Sequence, residues 1–355
     1  MGLFVIIYPT PELNLENNMR KVIPLFILLY ISCEDSIKTT EDSDILFISS
    51  EGTFGNSDGS IAVIKNNQVI QSVENIGDVV QSLLVDGDKL FVIANNSHLI
   101  KKYTITESGL NLPGIEISTN NSSPRNMVIV NDKLYFTNWN SMDVKILNLN
   151  TYAIETSIPL QGIPEDIVYD GQYLWISLPN LELYDTNQGS SVVKIDISSN
   201  SILQTYEVGR GPQQLIIDNN FLWISRTFYS SDWYTAYYGS SKLDLETGEV
   251  TINNYGPGIV CGGGILKINE IVYRTTSGGI APLDDDLSLN LSAKIGSLST
   301  RTPYSAFHDN DDILYLGTSD YNAPDTVFTY NEIGELETFI SVGALPNDYA
   351  IWKNN

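Results

Sequence analysis

The chain is poor in the side chains on which most metal sites and nucleophilic sites depend. Its 355 residues include two histidines, His98 and His308, and two cysteines, Cys33 and Cys261. The repeat described below puts His98 in a loop at one end of the fold and His308 near a turn at the other, so the two do not converge. The sequence therefore predicts no metal site, and it argues against a Ser-His-Asp triad or a histidine general base.

Positive charge is also scarce. The sequence has 19 lysines and arginines against 43 aspartates and glutamates, a formal net charge of −24. Such a surface repels a phosphate backbone, so no nucleic-acid partner is expected. The acidic stretches at 284–286 and 309–312 lack the ligand spacing of a calcium loop. We interpret them as solvated turns and expect no cofactor, with weak calcium binding as the alternative.

The chain lacks an apolar run long enough for a transmembrane helix. The run from Val22 to Ile31 would extend about 15 Å as a helix, roughly half of a bilayer core. Arg20 and Lys21 precede this run and Cys33 follows it, which is the order of a secretory signal. Residues 1–33 are therefore predicted to be targeting sequence. Met19 is a second candidate start, because prolines and glutamates interrupt residues 1–18.

The end of this signal resembles a bacterial lipobox, in which the cysteine is acylated and becomes the mature N-terminus. Cys33 takes that place, although Tyr30 stands where a leucine is usual; cleavage by an ordinary signal peptidase is the alternative. The resemblance implies a lipoprotein of the bacterial cell envelope, in the periplasm or at the surface of the outer membrane. Its only membrane contact would be the N-terminal lipid anchor, and the polar, acidic residues 34–43 would form a tether.

The rest of the sequence keeps no helical periodicity over three turns, but it repeats one strand motif seven times. The motif is an aliphatic residue followed by an aromatic one, at spacings of 44, 44, 40, 48, 50 and 42 residues. A period near 45 is typical of a four-stranded propeller blade and too long for a leucine-rich repeat. The seven copies are Leu46-Phe47, Leu90-Phe91, Leu134-Tyr135, Leu174-Trp175, Leu222-Trp223, Val272-Tyr273 and Leu314-Tyr315.

Each copy has the same order of four strands, A to D, with the aromatic motif in strand B. An apolar strand A leads through a turn of Asp, Gly and Asn into strand B; SIAVIK and DVKILNL are examples of C, and VIQSV and LETFISV of D. The domain at 44–355 begins with a B strand and ends with an A strand, PNDYAIW. We therefore predict an all-β, seven-bladed β-propeller of four-stranded antiparallel blades. We expect this domain to be monomeric and to be closed by its N-terminal strands pairing with a C-terminal strand.

Two stretches of the repeat carry a family resemblance. Tyr135-Phe136-Thr137-Asn138, followed by DVKILNLNTYAIETSIPLQGIPEDIVYDGQYLWIS, resembles the YVTN-repeat family of β-propellers, which includes the YncE-like bacterial proteins. The pattern recurs in SSVVKIDISSNSILQTYEVGRGPQQLIIDNNFLWIS, and weaker copies cover about residues 44–353. Residues 261–264 depart from it, with Cys-Gly-Gly-Gly where a proline is expected. The resemblance implies a propeller, usually extracytoplasmic, and does not imply one activity.

The start of each A strand lines the axial channel of a propeller, and two successive positions there are mostly polar. The first ring is Gln81, Arg125, Glu165, Gln213, Gly263, Tyr304 and Asn347. The second ring is Ser82, Asn126, Asp166, Gln214, Gly264, Ser305 and Asp348. The alternative to an axial ligand site is that these groups bond only to water and to neighbouring blades. Our candidates for ligand binding on the axis are Arg125, Asn126, Glu165, Asp166, Gln213, Gln214, Tyr304 and Asp348.

One B-to-C connection, RTFYSSDWYTAYYGS, is long and rich in aromatic residues, and its companion LPNLELYDTNQGS is expected beside it. Aromatic rings with polar tips stack on sugars, bases or peptide segments, and the acidic chain makes bases the poorest of these. The alternative is that the rings pack over neighbouring blades or extend the strands. The candidates in this loop are Phe228, Tyr229, Trp233, Tyr234 and Tyr237.

An intact scaffold without a recognisable catalytic set favours a noncatalytic binding or scaffold lipoprotein. Its partner would be an extracytoplasmic protein, a glycan or a small molecule. The alternative is a propeller enzyme, such as a lactonase-like hydrolase or a lyase, that uses axial carboxylates with Arg125. Paired carboxylates can perform acid-base work when the site splits their pKa values.

Overall fold

The computed structural model describes residues 44–183, 187–258, 264–299, 301–309, 312–331 and 333–354. The targeting segment with Cys33, the tether and the repeat departure at 261–263 lie outside the described residues. Within the described ranges the chain forms 27 strands and one turn of 3-10 helix at Leu291–Ala293. No helix in these ranges is long and apolar enough to cross a membrane.

The strands form seven antiparallel sheets, the blades. Blade 7 contains β1 (Ile45–Ser50), β2 (Ser60–Lys65) and β3 (Gln68–Val73). Blade 1 contains β4 (Val80–Asp86), β5 (Lys89–Ala94), β6 (Leu99–Thr106) and β7 (Gly109–Ser118). Blade 2 contains β8 (Pro124–Val130), β9 (Lys133–Asn138), β10 (Asp143–Asn148) and β11 (Ile154–Pro159). Blade 3 contains β12 (Ile167–Tyr169), β13 (Tyr173–Asn180), β14 (Gln188–Asp196) and β15 (Ser201–Glu207).

The second half of the ring follows the same order. Blade 4 contains β16 (Pro212–Asp218), β17 (Phe221–Tyr229), β18 (Ala236–Asp244) and β19 (Val250–Pro257). Blade 5 contains β20 (Ile265–Ile268), β21 (Ile271–Thr276) and β22 (Gly279–Pro282). Blade 6 contains β23 (Ser305–His308), β24 (Leu314–Thr318), β25 (Asp325–Tyr330) and β26 (Leu336–Val342). The last strand, β27 (Pro346–Trp352), returns to blade 7.

This arrangement confirms the predicted all-β, seven-bladed propeller. Each A strand contacts the A strand of the next blade, and β23, β27 and β4 complete the cycle. Strand β27 pairs with β1 from Ile45↔Trp352 to Ser50↔Pro346, which is the predicted closure. In blade 5 the place of the D strand is taken, within the described residues, by isolated bridges at Ile280↔Ile295 and Leu283↔Leu289.

The position of a strand in its blade explains its residues. A B strand has neighbouring strands on both sides and adjacent blades on both faces, so β1 (ILFISS) is buried at every position. A D strand lies at the rim, and β15 (SILQTYE) is exposed at most positions. Successive side chains of a strand point to opposite faces. Leu46 therefore packs between blades 6 and 7, and Phe47 packs between blades 7 and 1.

The hydrophobic core of the described residues consists of seven clusters, one at each interface between blades. The smallest lies between blades 4 and 5 and has four buried members. These are Ile265, Val272, Leu283 and Leu287. Among the described residues, the blade 4–5 interface therefore has the smallest apolar cluster.

Two arginines are buried in blades 4 and 5, and Arg274 of blade 5 faces the blade 4–5 interface. Arg274 takes the repeat position that Ile224 has in blade 4, and its side chain is 0% exposed. Its Nη1 donates to the carbonyl of Gly264 at 3.0 Å, and Nη2 of Arg226 donates to the carbonyl of Asn253 at 2.8 Å. No ion pair among the described residues involves either guanidinium. Burial lowers the pKa of each arginine to about 10.

We expect Arg274→Met to change the free energy of unfolding by less than about 1 kcal/mol, because the removed desolvation cost offsets the lost hydrogen bonds. Arg274→Ala also leaves a cavity and should cost about 3 kcal/mol. Urea denaturation followed by circular dichroism measures both. Equal, large losses for the two variants would contradict this account, since they would mean that the charge itself stabilises the interface.

Candidate functional site

The second ring of predicted axial residues forms hydrogen bonds from one blade to the next. Oδ2 of Asp166 accepts the backbone N–H of Leu215 at 2.6 Å, and Oδ2 of Asp348 accepts that of Leu83 at 2.8 Å. Oε1 of Gln214 accepts the backbone N–H of Ile265 at 3.2 Å. Each of these side chains therefore joins its own A strand to the A strand of a neighbouring blade. Hydrogen bonding between neighbouring blades was the alternative to ligand binding that the sequence offered for these residues.

Asp166 also belongs to a chain of hydrogen bonds between members of this ring. Asn126 donates its Nδ2 to Oδ1 of Asp166 and accepts the hydroxyl of Ser82 at 3.1 Å. Burial raises the pKa of Asp166 to about 7 and that of Asp348 to about 6, against the opposing effect of the backbone N–H groups that donate to them. Both carboxyls are thus protonatable near neutral pH while serving as links between blades.

The first ring contains a compact polar cluster around Arg125. Its Nε and Nη2 lie 3.2 and 2.5 Å from Oε1 of Glu165, and its Nη1 donates to Oε1 of Gln81. The guanidinium also stacks over the ring of Trp139, 4.1 Å from the centroid. The indole N–H of Trp139 donates to Oε2 of Glu165 at 3.1 Å. Arg125 and Glu165 therefore hold Trp139 from two directions.

A second carboxylate, Glu51, belongs to the same cluster. The hydroxyl of Tyr304 donates to its Oε1 at 2.9 Å. Burial raises the pKa of Glu51, the Arg125 charge acts in the opposite direction, and the Glu165 charge raises it further. The structure thus brings together the predicted residues Arg125, Glu165 and Tyr304, while the side chain of Gln213 has no described bond to them.

Sequence reasoning missed Glu51 and Trp139, although a signal for both was present. Each lies five residues after the leucine of its strand-B motif, Leu46 and Leu134. The position directly follows the B strand, at the start of the B-to-C connection. For the axial site the prediction considered only the starts of the A strands, whereas the cluster is built from the starts of A strands and the ends of B strands.

A cavity of about 320 Å³ opens on the face that carries the B-to-C connections, which we call the B–C face. Its lining comes from five consecutive blades, from blade 7 to blade 4. The aromatic lining residues are Phe54, Trp139, Tyr229 and Trp233, and the polar ones are Asn95, Asn96, Ser123, Asn140, Asn180 and Glu182. Because Trp139 belongs to both, the cavity and the Arg125 cluster form one continuous site.

The predicted aromatic loop is a hairpin whose two strands extend beyond the blade. Strand β17 runs to Tyr229 and pairs it with Ala236, so only residues 230–235 form the tip. Tyr229 and Trp233 stack with ring centroids 5.0 Å apart, and both line the cavity. Phe228 and Tyr237 stack on each other at 5.6 Å and do not line it. Tyr234 at the tip is 91% exposed.

One repeat position supplies an asparagine to the cavity in three consecutive blades. Asn96, Asn140 and Asn180 each lie six residues after the motif leucine of their B strands. The amide of Asn140 donates to the carbonyl of Asn121 at 3.1 Å, and that of Asn96 donates to Asp78. The amides of Asn96 and Asn140 are therefore positioned by contacts with the D-to-A connections that precede their blades.

The part of the chain that the structure describes holds no group of three or more His, Cys, Asp or Glu side chains arranged for a metal ion. The two histidines lie in the predicted places, His98 in a B-to-C loop and His308 at the end of β23. Nδ1 of His98 lies 3.1 Å from the backbone N–H of Ser123.

The chain is similar in structure to several solved propellers. A candidate 6-phosphogluconolactonase from Bacteroides uniformis is 13% identical, with a TM-score of 0.62 over 88% of this chain and 100% of that one. Apo AztD from Citrobacter koseri is 11% identical, with a TM-score of 0.54 over 87% and 98% of the two chains. BamB from Moraxella catarrhalis is 11% identical, with a TM-score of 0.52 over 84% and 89%.

These similarities show the propeller fold alone, because identities near 11–13% carry no activity from one chain to another. No family model matches the chain, and no curated protein matches it either. The YVTN-repeat resemblance therefore stays a prediction.

Proposed function

We propose that the chain is a noncatalytic binding module that takes a ligand into the cavity of the B–C face. The observation that carries this proposal is that two aromatic surfaces line one cavity and are fixed by neighbouring side chains. Trp139 on blade 2 donates a hydrogen bond to Glu165, and Tyr229 and Trp233 on blade 4 stack on each other. Pockets that combine aromatic walls with a few placed polar groups are typical ligand sites. The partner is an extracytoplasmic small molecule, glycan or protein segment.

The proposal includes the location of the domain. A signal ending at Cys33 would attach the module to the bacterial cell envelope through a lipid, with the tether between anchor and propeller. The B–C face would then be free to meet ligands outside the cytoplasm. The strongly acidic surface favours neutral or cationic partners over anionic ones.

The axial carboxylates support binding more than catalysis. Asp166 and Asp348 are engaged in links between blades, and Glu165 is shared by Arg125 and Trp139. One observation favours the enzyme alternative, a lactonase-like hydrolase or lyase: the pKa of Glu51 is raised beside a second carboxylate and an arginine. That combination is suited to a general acid.

The test of the binding proposal is a thermal-shift screen of the full chain in mild detergent against sugars, lactones, nucleosides, amino acids and peptides. Any ligand of the cavity should raise the melting temperature of the wild type and of Tyr234→Ala, and have no effect on Trp233→Ala. Tyr234 is the matched control because it is an aromatic residue of the same loop that does not line the cavity. A ligand that stabilises all three proteins equally would contradict the proposal.

The enzyme alternative makes a different prediction. Ligands found in the screen should remain chemically unchanged after prolonged incubation with the wild type, as followed by NMR. Turnover that is lost in Glu51→Gln would replace the binding proposal with the enzyme. Glutamine keeps the size of Glu51 and an acceptor for Tyr304 while removing the titratable proton.

A further inference from the structure

We infer that the ligand of the B–C cavity is a neutral saccharide. This inference rests on the proposed function and specifies the chemistry of its ligand. A sugar ring presents faces of C–H groups and a rim of hydroxyls that both donate and accept hydrogen bonds. A matching site needs exposed aromatic faces together with amide or hydroxyl side chains, and no excess of charge.

The aromatic side chains that line the cavity come from the two blades that flank blade 3. Trp139 lies on blade 2, Tyr229 and Trp233 lie on blade 4, and blade 3 with Asn180 lies between them. The negative face of an aromatic ring attracts the weakly positive C–H groups of a sugar, and it supplies large contact area at little entropic cost. Two such surfaces separated by a blade suit successive rings of an oligosaccharide.

Both surfaces are held before a ligand arrives. The indole N–H of Trp139 is bound by Glu165, and Arg125 covers part of its ring. Tyr229 and Trp233 support each other with an angle of 24° between their rings. Immobilised side chains lose little entropy on binding, which matters for a ligand that gains little energy per contact.

The amides supply the complementary hydrogen bonds. An asparagine side chain offers both donors and an acceptor, as a hydroxyl rim requires. Asn96, Asn140 and Asn180 bring three such groups to the cavity from the same repeat position. Within the described residues Oδ1 of Asn140 accepts no hydrogen bond, while its Nδ2 is anchored on Asn121. The Oδ1 atom is thus held in place and is available to accept a hydrogen bond from a ligand hydroxyl.

Charge and backbone geometry argue against the other ligand classes. Among the described residues no lysine or arginine lines the cavity, and one glutamate does. Arg125 of the adjoining cluster is paired with Glu165, and the net charge of the chain is −24, so phosphorylated or acidic ligands are disfavoured. An extended peptide gains affinity by pairing with a free strand edge. The free edges of the described sheets belong to outer strands such as β15, whereas the cavity is lined mainly from the ends of B strands and the B-to-C connections, with Ser123 and Ile163 from D-to-A connections.

The experiment is titration calorimetry of the full chain with hexasaccharides of glucose, mannose, xylose and N-acetylglucosamine, with hexagalacturonate and a set of unstructured decapeptides as competitors. We expect at least one neutral hexasaccharide to bind. Trp233→Ala should weaken it at least about tenfold, as for a buried aromatic anchor. Tyr234→Ala should bind within about twofold of the wild type, since Tyr234 does not line the cavity.

A second variant separates a loss of binding from a loss of folding. Asn140→Ala changes an exposed side chain, so its melting temperature should equal that of the wild type while its affinity falls about fivefold. Failure of every neutral hexasaccharide to bind would overturn the inference. Binding of peptide or hexagalacturonate that depends on Trp233 would overturn the inference and leave the proposed function standing, whereas no Trp233-dependent ligand of any class would remove both.

Discussion

Removal of residues 346–355 is expected to abolish cooperative folding of the propeller. The deleted segment contains β27, the A strand of blade 7, which pairs with β1 along most of its length. Without it, β1 loses a partner strand and the A-strand cycle opens between β23 and β4. The truncation removes more than the pairing of one strand, because side chains of β27 also contact blades 1 and 6.

Those links can be stated individually. Asp348 accepts the backbone N–H of Leu83 in blade 1, and Asn347 donates to the carbonyl of Gln81 in the same blade. In blade 6, Ser305 donates to the carbonyl of Pro346 at 2.6 Å. The ring of Tyr349 stacks on Phe307 of that blade at 5.3 Å. A stability of about 5–15 kcal/mol does not survive the loss of these contacts together.

Circular dichroism during heating measures the effect. The truncated chain should show no sigmoidal transition, and it should expose apolar surface to a hydrophobic dye at 25 °C. A shorter deletion of residues 353–355, which follow β27, is the matched control and should melt like the wild type. A cooperative transition for the long truncation within a few degrees of the wild type would contradict the role assigned to β27.

The architecture was predictable from the sequence because the repeat is strict where it is buried. Leu46 and Phe47 face two different blade interfaces, so an aliphatic-aromatic pair recurs wherever a B strand lies between two blades. The asparagine that ends the Tyr135-Phe136-Thr137-Asn138 motif is fully buried. It donates to the carbonyl of Phe136 at 2.9 Å and accepts the hydroxyl of Ser122 at 2.5 Å. Its Nδ2 also lies 3.4 Å from the carbonyl of Asp143 at the far end of the B-to-C turn, so the asparagine of the motif joins the two ends of that turn.

The candidate site was less predictable because the repeat position of a polar residue does not show which partner its side chain contacts. The sequence shows that Asp166 and Arg125 both start A strands, but not that one faces the next blade and the other faces Trp139. In the aromatic loop, composition alone did not separate Trp233, which lines the cavity, from the exposed Tyr234. The difference arises from the hairpin tip, where Trp233 has a φ of 63° and turns back toward Tyr229.

The second large effect is expected at Asp166, whose replacement by alanine should lower the free energy of unfolding by about 3 kcal/mol at pH 6. The change leaves the buried N–H of Leu215 and the amide of Asn126 without their acceptors. Asp166→Asn should cost less, about 1 kcal/mol, because the protonated carboxyl that it replaces also has one carbonyl oxygen and one hydrogen-bearing side. Urea denaturation at 25 °C measures both values.

The pH dependence of these variants tests the physical origin of the effect. The pKa of Asp166 is raised by burial to about 7, above its ordinary value near 4, so the protonated form is the one that the fold favours. Its stabilising contribution is complete below about pH 4 and is lost as the pH rises through 7. The wild type should therefore lose stability between pH 4 and 8, and the loss should be smaller in Asp166→Asn, which cannot ionise.

Asp132→Asn, at an exposed turn, is the control and should follow the wild-type profile. Parallel profiles for the wild type and Asp166→Asn would mean that Asp166 stays ionised in the fold, held by its N–H donors against the cost of burial.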